Sequence, residues 1–429
     1  MENAQYVQNK HETQIDKLRV MAILISSYVL FAILLNSVGT VILQSISSFG
    51  VSKTNASVLE GFKDIPIAIV SFFVAAYLPR FGFKRAMLTS TLLVTVGSLL
   101  MPLLSNFFMS KMLFLIVGAS FALIKISVYA LIGRVSDNQQ AHASNMNIVE
   151  GCFMVGVLAG YWLFSAFIDP TQPESYSWLN VYWLIAFLGA ANLLLIVFTH
   201  VPEVKHLIQS ESPQAQFAGM LKLVWLPFVV MFIICAFFYV LVEQGIGTWL
   251  PTFNSEVLNL ANHISVQVTS IFAACLAAGR LLAGYVLRKM HWFNFLVLSL
   301  FLIAALILIA IPLANSGVSS VQIQSWSDVP IAAFVLPLVG LFMAPIYPAI
   351  NSVVLSALPS QQHASMTGLI VVFSALGGTF GSLVTGAIFE YFSGQTAFYF
   401  MLVPIAILTI ALFLYKRLLT SAPITEATA

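Results

Sequence analysis

The sequence predicts an all-α integral membrane protein, with twelve membrane-spanning helices arranged as two pseudo-symmetric six-helix bundles. Three observations carry this. The 429-residue chain is 60% hydrophobic and only 8% charged, whereas water-soluble domains are ~25% charged and ~45–50% apolar. Its apolar residues fall into twelve runs, each near the ~20 residues a helix needs to cross a bilayer. A short motif also recurs at about half the chain length. With 18 basic and 16 acidic residues the chain cannot clothe a water-facing surface of this size, so lipid replaces the polar coat. A net charge of +2 leaves no basic footprint for nucleic acid.

The runs cover residues 20–46, 57–79, 86–104, 112–133, 144–168, 179–199, 224–252, 265–287, 294–313, 330–357, 364–389 and 396–415. The stretch from Phe295 to Leu313 is apolar almost without interruption. Barrel strands would alternate over ~10 residues instead. Residues 1–19 are polar and the first run is long enough to span, so it reads as a retained first helix rather than a cleaved signal.

Lysine and arginine set the orientation. With the N-terminus in the cytoplasm, the inner side holds Lys10, Lys17, Arg19, Arg80, Lys84, Arg85, Arg134, Lys205, Lys222, Arg288, Lys289, Lys416 and Arg417. The outer loops hold Lys53 and Lys111, with Lys63 near that border. Both termini are therefore expected in the cytoplasm, at the inner membrane of the cell.

Gln140-Ala-His-Ala-Ser144, before the fifth run, recurs as Gln361-Gln-His-Ala-Ser365 before the eleventh. The same offset carries Gly156 onto Gly377 and Gly160 onto Gly381. A weaker echo relates Ala75-Ala-Tyr-Leu-Pro-Arg80 to Ala283-Gly-Tyr-Val-Leu-Arg288. The expected organisation is a first bundle over 1–199, a cytoplasmic linker over 200–222 and a second bundle over 223–429. Parallel repeats of this kind are a transporter architecture.

An ionised group in hydrocarbon costs at least ~2.5–3.5 kcal/mol, so each needs a reason. Runs 3, 6, 9 and 12 carry none in their interiors. Runs 2, 4, 5, 7 and 8 carry Glu60, Lys63, Asp64, Lys125, Glu150, Glu243 and Arg280. Four lipid-facing helices around a polar central cavity would produce this distribution. Lys125 lies halfway along its run, beyond snorkelling reach of either end. It reads as a substrate contact or as half of an ion pair, with Glu150 the natural partner. Glu150 has no counterpart in the other half and is a candidate proton carrier. Glu60 and Asp64 share a face near the outer end of run 2. They read as an interfacial charge cluster, or as part of the outer gate or an ion pair with Lys125, and both are candidates for proton coupling.

Glu243 opens a stretch with Gly245 and Gly247, which reads as a broken, cavity-lining helix. Gln244, Thr248 and Trp249 add amide, hydroxyl and aromatic groups of the kind that bind sugars. Asn36, Tyr347 and Asn351 are further substrate-binding candidates, and Pro345 and Pro348 should bend run 10 around Tyr347. Arg280, near the inner third of run 8, reads as a gating residue.

Cys152, Cys235 and Cys275 lie in apolar runs and form neither a disulfide framework nor a zinc pattern. The chain has no Walker motif, nucleotide fingerprint or nucleophile–base constellation. Neither an enzyme nor an ATP-driven pump is expected, and no metal or cofactor.

The sequence resembles the major facilitator superfamily over essentially its whole length. Leu341-Phe-Met-Ala-Pro-Ile-Tyr-Pro-Ala-Ile-Asn-Ser352, Gly279-Arg-Leu-Leu-Ala-Gly284 with Arg288, and Glu243-Gln-Gly-Ile-Gly-Thr-Trp249 resemble spans 10, 8 and 7 of its fucose–proton symporter branch. The resemblance implies that the first helix of each three-helix unit lines the cavity and the third lies outside. Two departures stand out. The loop after span 2 keeps only Gly82 and the basic residues of the superfamily motif, and the branch's acids in spans 1 and 4 are replaced by Thr40 and Lys125.

The expected function is secondary transport by alternating access. A small polar solute, with a sugar or sugar derivative first, would be taken up with protons by a monomer. An exporter of amphipathic compounds is the alternative within transport. A non-transporting membrane sensor or scaffold is the alternative outside it.

Overall fold

In hydrocarbon every backbone N–H and C=O must find its partner within its own segment, which leaves helices or a closed barrel. The computed structural model describes residues 2–74, 78–201, 213–316, 321–359 and 362–421. Nearly all of these are helical, and the one extended pairing among the described residues is a parallel bridge between Leu260 and Ile323.

Eleven helices among the described residues are long and apolar enough to cross a membrane. In chain order they are span 1 (Lys17–Leu35), span 3 (Phe83–Leu104), span 4 (Phe107–Val135), span 5 (Gln139–Ala166), span 6 (Tyr176–Phe198), span 7 (Pro227–Glu256), span 8 (Asn262–Val286), span 9 (Trp292–Ala314), span 10 (Ala332–Ser356), span 11 (Ser365–Tyr391) and span 12 (Gly394–Leu419). Span 2, Lys53–Val74, is as long but carries Glu60, Lys63 and Asp64, so it is less apolar than the rest. Span 1 continues past a break as the helix Val38–Phe49.

Three spans are broken, each for a local reason. At the break in span 1, Asn36 Nδ2 donates to Ala32 O at 2.9 Å and Ser37 Oγ to Leu34 O at 2.7 Å. Such side-chain bonds compete with the helical ladder. Span 7 runs as Pro227–Gly247 and resumes as Leu250–Glu256, because Pro251 has no N–H to offer Gly247 O. Span 10 is in several short pieces around Pro337, Pro345 and Pro348. Pro345 frees the carbonyl of Leu341. Gly279 of span 8 lies against that oxygen, too close for any side chain.

The halves pack alike. Spans 1 and 5 pair as spans 7 and 11 do, 2 and 4 as 8 and 10, and 3 and 6 as 9 and 12. The repeated glycines do equivalent work. A Cβ at Gly156 would lie 2.9 Å from Ala32 Cβ and one at Gly160 3.3 Å from Ile33 Cα, both on span 1. Gly377 and Gly381 press in the same way on the backbone of Phe237 and Leu241 in span 7. Spans 3, 6, 9 and 12 turn large apolar side chains outward, among them Leu103, Phe187, Phe301 and Phe413.

Of the linker expected over 200–222, residues 202–212 lie outside the described residues. Helix already begins at Pro213 and runs to Val224. It packs Gly219 and Met220 against Ser365 and Gly368 at the start of span 11. In the first turn of span 3, Lys84 donates to Val197 O and Thr199 O at 2.9 and 2.8 Å, and so caps the C-terminus of span 6.

The halves meet through spans 2 and 11, spans 5 and 8, and the parts of spans 1 and 7 beyond their breaks. Their polar contacts gather at the end remote from the termini. Lys53 pairs with Glu256 at 3.0 Å, and Thr54 N donates to Glu390 at 2.6 Å. Asn262 donates to Ser47 at 3.0 Å, and Gln267 to Ser165 at 2.8 Å. Trp162 and Trp326 stack with rings 2° from parallel. Toward the termini, spans 5 and 8 part. Consecutive Arg280, Leu281 and Leu282 are all exposed, as are Asn147, Ile148 and Gly151 opposite. The bundle is thus shut at the far end and open toward its termini.

Candidate functional site

A cavity of about 240 Å3 lies between the halves where spans 1 and 7 break. Asn36, Lys63, Glu243, Gln244, Thr248 and Arg280 supply its polar wall, and Phe153, Tyr161 and Phe272 its aromatic surface. Unwound turns at depth are tolerated where they face a cavity, and both breaks do.

On the closed side stands a charge cluster. Lys63 Nζ donates to Glu60 Oε1 and lies 3.5 Å from Asp64 Oδ1. Thr248, from the other half, donates its hydroxyl to Glu60 Oε2 at 3.1 Å and lies 3.3 Å from Gln244 Oε1. Glu60, Lys63 and Asp64 are 0%, 7% and 8% exposed. The cluster expected at the membrane interface is therefore buried in the seam, and its cation is Lys63 rather than Lys125. Glycine explains how three charges fit there. Gly378 of span 11 leaves room for Asp64 Oδ2, and Gly61 of span 2 admits Thr379.

Lys125 and Glu150 lie on neighbouring helices but form no ion pair. Tyr129, one turn from Lys125, donates to Glu150 Oε1 at 2.8 Å. Lys125 Nζ sits 5.9 Å from the Phe121 ring centroid and 5.8 Å from that of Tyr129. Of the interaction expected directly or through substrate, the direct ion pair is not formed, and Tyr129 touches both side chains instead. Lys125 is exposed although about 15 Å of helix separates it from the nearer end of span 4, so the opening toward the termini reaches mid-span.

Glu243 accepts from Tyr239 Oη at 3.0 Å. Tyr239 stacks on Tyr347 at 5.5 Å, and Tyr347 Oη bonds Ser374 Oγ at 2.7 Å. Tyr347 therefore supports the wall from behind, with Asn351 one turn further along span 10. Arg280 lines the cavity with its Nη1 3.8 Å from Met154 Sδ of span 5, which places it between the halves.

Trp249 is not on the cavity wall. It is fully buried, donates to Ser382 O and Oγ at 3.1 and 3.2 Å, and stacks on Phe389 at 5.5 Å. Ser382 in turn donates to Ser57 O at 3.2 Å, so Trp249 belongs to the closed seam. The sequence reading placed it beside Glu243 because it is near in the chain, but the turn at Thr248 sends it the other way.

Sequence reasoning missed Tyr129 and Tyr239. Each stands four residues from a mid-span charge, and that spacing was the available signal. Phe153, Tyr161 and Phe272 carried no mark distinguishing them from lipid-facing aromatics.

The family model of the Major Facilitator Superfamily matches residues 24–335 and 316–428. No curated protein matches the chain. Among solved structures, a D-xylose–proton symporter aligns with a TM-score of 0.71 at 13% identity, over 97% of this chain and 99% of that one. The nucleoside transporter NupG aligns at 0.68 and 15% identity, over 94% and 98%. A variant of the E. coli fucose:proton symporter aligns at 0.60 and 16% identity, over 93% and 99%.

Proposed function

The chain belongs to the Major Facilitator Superfamily, and we propose that it is a proton-coupled transporter of a small polar solute, with sugars and sugar derivatives first. The observation that carries this reading is the cavity between the halves. Its volume of about 240 Å3 falls below the ~300–1,000 Å3 of sites for drug-sized ligands. Its wall alternates aromatic faces with an amide, an acid and a hydroxyl, the groups a polyol needs. An amphipathic drug would want a larger and more apolar space.

Taking the termini as cytoplasmic and the membrane as the inner membrane of the cell, we read this conformation as the inward-facing state of an alternating-access cycle. The halves rock about the cavity, the far seam parts, and spans 5 and 8 close. Glu243, Gln244 and Asn36 bind solute, while Tyr347 and Asn351 back the wall. Arg280 follows the gap between spans 5 and 8 and acts at that gate.

The carboxylates assigned to proton movement are Asp64, Glu60 and Glu150. Glu60 and Asp64 share one ammonium, so this buried cluster holds one carboxylate more than it has cations. A proton cancels this excess in a place where uncompensated charge is expensive. Opening the seam exposes the cluster to the other side, which links protonation to the conformational change. Glu150, bonded through Tyr129 beside the open vestibule, gives the proton a route to water.

The test is counterflow in proteoliposomes with a panel of sugars, nucleosides and amphipathic drugs. Exchange of a sugar that Glu243→Gln weakens, with Asp64→Asn abolishing pH-driven accumulation, is the expected result. Exchange of drugs alone would favour the exporter reading.

A further inference from the structure

The acids and bases around the vestibule are not paired with one another. Glu243 is bonded by Tyr239 and Glu150 by Tyr129. No described carboxylate lies within 4 Å of Lys125 or Arg280. Lys125 meets only ring faces, and Arg280 meets the weak acceptor Met154 Sδ. Both side chains are exposed and come from opposite halves; through space Glu150 attracts Lys125, Arg280 attracts Glu243, and the two cations repel each other.

Their surroundings connect them to the cavity. Arg280 lines it, and so does Phe153. Phe153 packs on Phe121 at 6.1 Å, and Lys125 lies over that same Phe121 ring. Two cations facing each other at mid-membrane are unfavourable unless something negative comes between them. A guanidinium and an ammonium offer eight N–H donors and no acceptor, and only the Met154 contact uses any of them. The two acids attract these cations only from beyond ion-pair distance, because tyrosine hydroxyls hold both carboxylates, and the N–H donors of the cations stay available to a further acceptor.

We propose that the cargo is an anion: a small polyhydroxylated carboxylate, that is, a sugar acid. Arg280 and Lys125 take its carboxylate from opposite halves, and Glu243, Gln244 and Asn36 take its hydroxyls. This rests on the sugar reading above and narrows it. Arg280 is thereby a specificity-determining residue as well as part of the gate. An anion gripped by both halves also draws spans 5 and 8 together, so binding favours closure of the open end.

The experiment compares matched pairs on purified protein: glucuronate against glucose, and galacturonate against galactose, with glucose 6-phosphate as a third anion. Thermal shift reads binding and proteoliposome counterflow reads transport. At least one uronate should stabilise and exchange while its neutral partner does not. Arg280→Gln and Lys125→Gln should each weaken that response about tenfold to a hundredfold, the worth of a charge-assisted hydrogen bond. Arg280→Lys should retain the preference for acid over neutral sugar and controls for folding. Equal or better exchange of the neutral sugars overturns the anion proposal and leaves the sugar reading intact. A response to glucose 6-phosphate alone keeps the cationic site but replaces the carboxylate with a phosphate. Uronate binding unchanged in both Gln variants overturns the role of these two residues. Silence from every arm overturns the sugar reading and the proposal together.

Discussion

Lys63→Met is the substitution whose effect the structure fixes most tightly. Among the described residues Lys63 is the only cation within ion-pair distance of Glu60 and Asp64, whose side chains are 0% and 11% exposed. Removing the ammonium leaves two carboxylates in a dehydrated seam. At an effective dielectric constant of ~20, a charge pair 3.5 Å apart is attracted by about 5 kcal/mol. Breaking one partner of a buried pair costs about 3–5 kcal/mol, a consistent size. Lys53→Met is the built-in comparison. Its pair with Glu256 is 23% and 38% exposed, where solvent screening leaves about 0–1 kcal/mol. Thermal unfolding in detergent should show Lys63→Met melting far below wild type and Lys53→Met close to it. The triple variant Glu60→Gln, Lys63→Met, Asp64→Asn should regain most of the lost stability, since neutral groups in the seam need no counter-ion. If Lys63→Met and Lys53→Met melt together, the cluster is hydrated and the argument from burial is wrong.

Other expectations follow from particular contacts. Asp64→Asn should retain counterflow, which needs no net proton movement, and lose accumulation driven by a pH gradient; retained accumulation would move the proton elsewhere. Gly381→Ala drives a methyl onto the Leu241 carbonyl and should cost about 1–3 kcal/mol in thermal unfolding, whereas Gly284→Ala meets open space and should be neutral or slightly stabilising. Gly151→Leu with Gly284→Leu should leave the melting temperature unchanged but slow counterflow, because both positions are open here, one near the middle of span 5 and one near the end of span 8, on the two helices that must approach each other. Trp249→Ala should weaken the closed seam by removing its bond to Ser382, and binding by solute in this conformation should survive it.

The fold was legible because lipid is an undemanding solvent to read: twelve apolar runs and a repeat at half the chain length leave little else to build. The glycines of the repeat marked the tight helix pairs in both halves, since only a missing side chain lets Gly377 and Gly381 rest on the backbone of span 7. The charged residues were legible as important but not in their partnerships. Distance along the chain placed Glu60 and Asp64 near a surface, while packing of span 2 on span 11 buries them. Trp249 was misassigned because a turn at Thr248, caused by Pro251 three residues on, reverses which way it points. Tyrosines that hold Glu150 and Glu243 were passed over because tyrosine in an apolar run reads as packing.

The central claim is that the seam joining the two halves opens during transport. Ser382 Oγ lies 3.2 Å from Ser57 O across that seam. With Cys152, Cys235 and Cys275 replaced by alanine, Ser57→Cys and Ser382→Cys can be joined by a short thiol cross-linker and assayed for counterflow before and after. Alternating access predicts that the cross-linked protein still binds solute but exchanges none, and that cleaving the linker restores exchange. Counterflow at the uncross-linked rate with the linker intact would contradict it.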